Sequence, residues 1–134
     1  MNELTFRVNL ADIKEELADF PGTFESWATK LATTSNAVSR TKLDLSLALA
    51  KKEIHIRQNP LNYGFPKLTE DTVKACLAAD KDVNELERKL VDSEAEVRVL
   101  RAIVDSLEVK RSSLKYLCEL ATSGFVNLAP ITGV

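Results

Sequence analysis

Between positions 40 and 57 the chain gathers Arg40, Lys42, Lys51, Lys52, His55 and Arg57 against only Asp44 and Glu53. Cations so clustered can neutralise phosphates. The stretch that follows adds Tyr63, Phe65 and Lys67, and an aromatic ring can stack on a base without reading its identity. On a helix, Lys52, His55 and Ile56 share roughly one face, as do Lys51 and His55. This is the make-up of a platform for single-stranded nucleic acid, with Lys51, Lys52, His55, Arg57, Arg40, Lys42 and Tyr63 as its candidate contacts. The plainer reading is a solvated helix face that happens to be basic. The cluster is small for one copy, and repetition around an oligomer would strengthen it through multivalency.

Other chemistry finds less support. His55 is the only histidine, and a lone imidazole without a nucleophile or metal beside it rarely makes a catalytic unit. Asp80 and Asp82 could suggest a metal or an acid–base pair, but two residues apart on a helix they point in different directions. Ser112 and Ser113 lack a glycine elbow, and no glycine-rich phosphate loop occurs. Cys76 and Cys118 have no metal-ligand spacing and read as buried free thiols in a reducing compartment. The expectation is a protein that is no enzyme and has neither metal nor cofactor.

Charge is local. The chain carries −2 overall, yet residues 40–57 sum to +3 and residues 110–134 to +2, while residues 1–39 sum to −3 and 58–109 to −4. Such a distribution can meet a polyanion at particular places only. No apolar run reaches membrane-spanning length, and Met1-Asn2-Glu3-Leu4 has no basic region leading into an apolar one, so neither a span nor a secretory signal is expected. The cytoplasm is the expected location.

The elements that must hold the basic cluster are helical. From Cys76, one set of positions spaced by seven holds Cys76, Val83, Leu90, Val97, Val104, Arg111, Cys118 and Phe125. The set three residues on holds Ala79, Leu86, Ser93, Leu100, Leu107, Leu114 and Ala121. This predicts a long amphipathic helix over 69–124, begun by Thr69 as cap with Glu70 and Asp71 in the first turn. Such a helix would be about 80 Å long, against a radius of gyration near 14 Å for a compact chain of this length. Its apolar stripe therefore needs a second long helix, another copy, or both. Arg111 and Ser93 interrupt the seam; Arg111 could snorkel, pair with an acid or fix register.

Upstream, residues 4–10 alternate like a short strand or an extended arm, and Leu10, Ile13, Leu17 and Phe20 mark a short helix that Pro21-Gly22 should end. Thr23 then caps a second long helix over 23–58, in which Phe24, Trp27, Leu31, Val38, Leu45 and Leu49 keep helical spacing. Leu43, Leu45, Leu47 and Leu49 place apolar groups on two sides of it, which again asks for a second chain. Asn59-Pro60, Gly64 and Pro66 make residues 59–68 a turn, and 125–134 a tail. The reading is one all-α domain over 1–134: a long antiparallel helical hairpin with a short N-terminal helix, forming a homo-oligomer. Trp27, Leu45, Leu49, Val97, Leu100, Val104, Leu107 and Leu114 are the expected anchors between copies.

Four stretches resemble the UvsY-type phage recombination mediators. Cys76-Leu77-Ala78-Ala79-Asp80-Lys81-Asp82-Val83 is similar to the family's Leu-Ser-Ala-Asp-Lys-Asp-Val segment. Ala50 to Arg57, with the Asn/Tyr/Gly turn after it, resembles a family helix bearing paired lysines and a Lys-x-Arg before a Tyr- and Gly-rich loop. Leu10 to Leu17 resembles the family's acidic N-terminal helix, and Val109-Lys110-Arg111 through Leu120 its basic C-terminal segment. The order of parts agrees over most of the chain.

The resemblance implies a non-enzymatic ring of six or seven subunits that binds single-stranded DNA. It also implies loading of a RecA-like recombinase in place of a single-strand-binding protein, in a host cytoplasm if the source is viral. By this likeness Lys51 and Lys52 match the paired lysines and Arg57 the arginine, whereas His55 stands where the family has lysine. The rival from another class is a structural or chaperone-like helical-hairpin oligomer with no role in DNA, which would share the heptads and the self-association.

Overall fold

A computed structural model describes residues 13–123, and no strand occurs among them. Helix α1 runs Ile13–Gln58, a 3-10 turn Pro60–Tyr63, α2 Glu70–Ala79 and α3 Lys81–Thr122. The expected strand or arm at 4–10 and the tail at 125–134 lie outside the described residues. The chain divides into two compact units, one of residues 1–32 with 98–134 and one of residues 33–97. No helix among the described residues is long and apolar enough to cross a membrane.

Pro21-Gly22 does not end a helix; α1 continues through both. Pro21 has no N–H, so the carbonyl of Leu17 loses its helical partner, and a proline inside a helix costs about 3 kcal/mol. Leu17 itself is 38% exposed. The offset comes from what flanks the proline. Phe20, Phe24, Trp27, Leu31, Thr34, Val38, Thr41, Leu45, Ala48 and Lys52 alternate by four and three, and each is buried or half-buried. That is a complete heptad seam, which the weak helix formers at 33–41 had obscured. Thr41, exposed only 4%, fits because its hydroxyl donates to the Ala37 carbonyl at 2.9 Å, one turn back in its own helix.

The helix expected over 69–124 is two helices. Asp80 is extended, at φ −69° and ψ 128°, and stands between them. It ends α2 by donating its N–H to Leu77 O at 3.2 Å. It starts α3 by accepting from Val83 N at its carboxylate (3.0 Å) and from Asn84 N at its carbonyl (3.0 Å). A carboxylate able to cap competes with helix continuation, and here it wins. Ala79 consequently turns outward although the heptad pattern puts it on the seam. From Val83 to Cys118 the seam faces inward, with Arg111 as its one exposed member; the guanidinium lies 5.8 Å from the centre of the Phe24 ring.

In the unit of residues 33–97, the chain folds back on itself through the 3-10 turn. Contacts then run antiparallel: Lys42 meets Glu94 at 3.6 Å, Lys52 meets Asp80 at 3.1 Å, and Arg57 meets Glu70 at 2.9 Å. Its core is Val38, Ile56, Val73 and Val83, with Ile56 fully enclosed. In the other unit the core is Leu100, Val104, Leu107 and Leu114. Half-buried Phe24, Trp27 and Leu31 belong to the same unit, and Lys110 meets Glu16 at 2.7 Å.

Candidate nucleic-acid interface

Three devices fix the turn end of the 33–97 unit. Asn59 closes α1 by donating its backbone N–H and its side-chain amide to His55 O, at 3.0 and 3.1 Å. Gly64 takes φ +80°, a left-handed conformation that suits glycine, and donates to Leu61 O at 3.1 Å. Thr69 begins α2 with a capping box: its hydroxyl accepts from Thr72 N at 3.2 Å while its own N–H donates to Thr72 Oγ1 at 2.9 Å.

On this frame Tyr63 sits between two predicted site residues. Its hydroxyl and His55 Nδ1 share a 2.6 Å hydrogen bond, the tyrosine donating where the imidazole proton sits on Nε2 alone, and the two rings meet edge-on at 5.7 Å. Lys52 Nζ lies 5.3 Å from the centre of the Tyr63 ring. The Asp80 carboxylate, and after it the Tyr63 hydroxyl, hold the Lys52 ammonium above its ordinary pKa. Reciprocally, the Val83 N–H and then Lys52 hold Asp80 below the usual carboxylate range. Asp80, Lys52, Tyr63 and His55 thus form one polar chain.

Arg57 lies one turn beyond Glu53. Its Nη2 donates to Glu53 at 2.9 Å and to Glu70 at 2.9 and 3.2 Å, and its Nε donates to Glu53 at 3.2 Å. Glu70 first, then Glu53, raise its pKa further. The side chain is still 44% exposed, so part of the guanidinium faces outward.

Four of the seven predicted contacts, Lys52, His55, Arg57 and Tyr63, therefore meet at the turn end, while Lys51 is exposed about two helical turns before the end of α1. Arg40 and Lys42 lie about four to five helical turns before the end of α1, where Lys42 pairs with Glu94. The acids are what the sequence reading missed. Glu53 was legible as the i, i+4 partner of Arg57, but Glu70 and Asp80 reach the cluster only through the fold-back. Phe65 is half-buried and Lys67 exposed. Among the described residues no group of three or more His, Cys, Asp or Glu side chains could hold a metal.

The expected anchors between copies are placed differently. Leu100, Val104, Leu107 and Leu114 are 1–8% exposed within a single chain, and Trp27, Leu45, Leu49 and Val97 are half-buried there. The large apolar side chains left in water are others, among them Leu43, Leu47, Ile54, Val91, Val99, Val109 and Tyr116. Compared with family models, curated proteins and solved structures, the chain matches none.

Proposed function

We propose that the protein binds single-stranded DNA through the turn end of the 33–97 unit, and that it acts as a recombination mediator. In this reading a ring-like homo-oligomer lines up the turn ends, and the bound strand is handed from a single-strand-binding protein to a RecA-like recombinase in the cytoplasm. The observation that carries it is the seating of Tyr63 between His55 and Lys52, with Arg57 on the next turn. A ring fixed beside cations offers a base something to stack on while phosphates meet ammonium and guanidinium. The paired acids hold both cations in place before the strand arrives and limit their charge, so affinity per copy is modest and repetition supplies the rest. The likeness of residues 50–57 and 76–83 to the mediator family supports the same reading.

The second reading is a structural helical oligomer without a DNA role. It is favoured by one observation: Lys42, Lys52 and Arg57 already hold carboxylates of their own chain. Titrating a labelled oligonucleotide by fluorescence anisotropy at rising salt separates the two. The mediator reading expects a log–log slope that is steep and negative, and a loss of roughly two units of slope in the Lys52→Ala/Arg57→Ala variant. Absent or salt-independent binding by the wild type would leave the structural reading standing.

A further inference from the structure

Opposite its inward seam, α1 carries a second apolar line. Leu43 is 60% exposed, Leu47 50% and Ile54 56%, and exposed Ala50 lies between the last two. The intervals are four, three and four residues, the spacing of a seam that takes a second helix. Single exposed leucines need no explanation, but these form one continuous line on one face, away from Val38, Thr41, Leu45 and Ile56.

The charges along its flanks select an occupant. One flank carries Asp44 and Lys51, both exposed; the other carries Ser39, Ser46 and Glu53. In an antiparallel pair of identical helices each flank faces its own copy. Leu47 then lies across from Ala50 and Leu43 from Ile54, and Asp44 of each copy comes beside Lys51 of the other, giving two opposite-charge pairs about a two-fold axis. In a parallel pair the unlike flanks meet, placing Lys51 against Ser46 and Asp44 against Ser39, with no charge matched. At each end of the seam exposed Arg40 of one copy comes across from Arg57 of the other, a like-charge meeting that Glu53 and Glu70, already paired with Arg57, offset.

We infer that this face of α1 is an isologous contact between two copies of the chain, packed antiparallel through Leu43, Leu47, Ala50 and Ile54 and steered by Asp44 and Lys51. It assigns Lys51 to self-association, leaves Lys52, His55, Arg57 and Tyr63 at the outer ends of the pair, and requires an even number of subunits. It rests on the oligomer of the mediator reading and divides that oligomer's turn ends between two opposite rims, yet holds equally for a protein with no DNA role.

Charge exchange tests it. Residues 44 and 51 are two turns apart on one helix and do not touch within a chain, so each can restore the other only across copies. Light scattering and sedimentation should give the wild type an even multiple of the 14.9 kDa chain. Asp44→Lys alone and Lys51→Asp alone should each weaken self-association about tenfold or more, and the combined D44K/K51D variant should regain it. Leu47→Asp should abolish it with helix content unchanged by circular dichroism. A wild type that stays monomeric, an odd subunit count, single exchanges without effect, or a double exchange that fails to recover would each overturn the contact. Oligonucleotide anisotropy on the same samples keeps the questions apart, since lost DNA binding with the exchange pattern intact counts only against the mediator reading.

Discussion

The Lys52 ammonium lies 3.1 Å from the Asp80 carboxylate, and that same carboxylate caps α3 through the N–H of Val83 at 3.0 Å. One acid thus divides the second half of the chain into two helices and ties the break to α1. Removing the cap with Asp80→Ala should cost about 1 kcal/mol, the usual range for a lost N-cap. Asp80→Asn, which keeps a capping side chain and loses the charge, should cost less. Urea unfolding of the three proteins checks both.

The same pair sets an acid dependence. Asp80 has its pKa lowered in the folded chain, so its ionised form adds stability above the unfolded carboxylate value of about 3.9, and that stability is lost as pH falls through the lower folded value. Lys52 is raised, so its share is full at neutral pH and disappears only as pH climbs past the ordinary lysine range. Melting temperatures of wild type and Asp80→Asn should therefore differ at pH 7 and converge below about pH 4. A gap that does not narrow as pH falls below 4 would show that it does not arise from the charge.

Two glycines should respond in opposite directions to alanine. Gly22 sits inside α1, and a Cβ added there would have nothing within 4 Å. Gly22→Ala should stabilise by about 0.5–1 kcal/mol, because alanine loses less freedom on entering a helix. Gly64 also has open space, but its φ of +80° is strained for any other residue, so Gly64→Ala should destabilise by about 1–2 kcal/mol. Thermal melts of the two variants give both signs.

Burial separates two leucines. Leu114 is 1% exposed and Leu47 50%. Leu114→Ala should cost about 2–5 kcal/mol through lost contacts and the cavity left behind. Leu47→Ala should change the stability of a single chain by no more than about 0.5 kcal/mol. Denaturation at high dilution, where copies separate, is the clean comparison.

The helical class and the ends of several elements were legible because side-chain chemistry dictates them locally. Thr69 ahead of Glu70 and Asp71 reads as a cap, Asn59-Pro60 as a stop, and the sevenfold spacing from Val83 to Cys118 as an inward stripe. The misreadings have one cause, competition between a local signal and packing. At Pro21 the local signal says stop, yet aromatic residues on the seam at 20, 24 and 27 keep the helix going. At Asp80 periodicity says continue, yet a cap and a lysine from another helix interrupt it. At the basic cluster, charge counted along the chain shows an excess, whereas the fold supplies Glu70 and Asp80 from far along the sequence.

Thr41 shows what holds α1 against α2 and α3 at one setting in the 33–97 unit. Its hydroxyl is satisfied by its own helix, so it demands nothing of the surface opposite, and a smooth apolar stripe would let the helices slide. The cross-helix charges oppose that. Sliding by one heptad in one direction trades Glu94 for Arg101 opposite Lys42, and in the other trades Asp80 for Val73 opposite Lys52, while the remaining lysine meets Glu87 in either case, so each slide loses one pair. The lysines work as detents, favouring one notch over its neighbours whatever the chain goes on to bind.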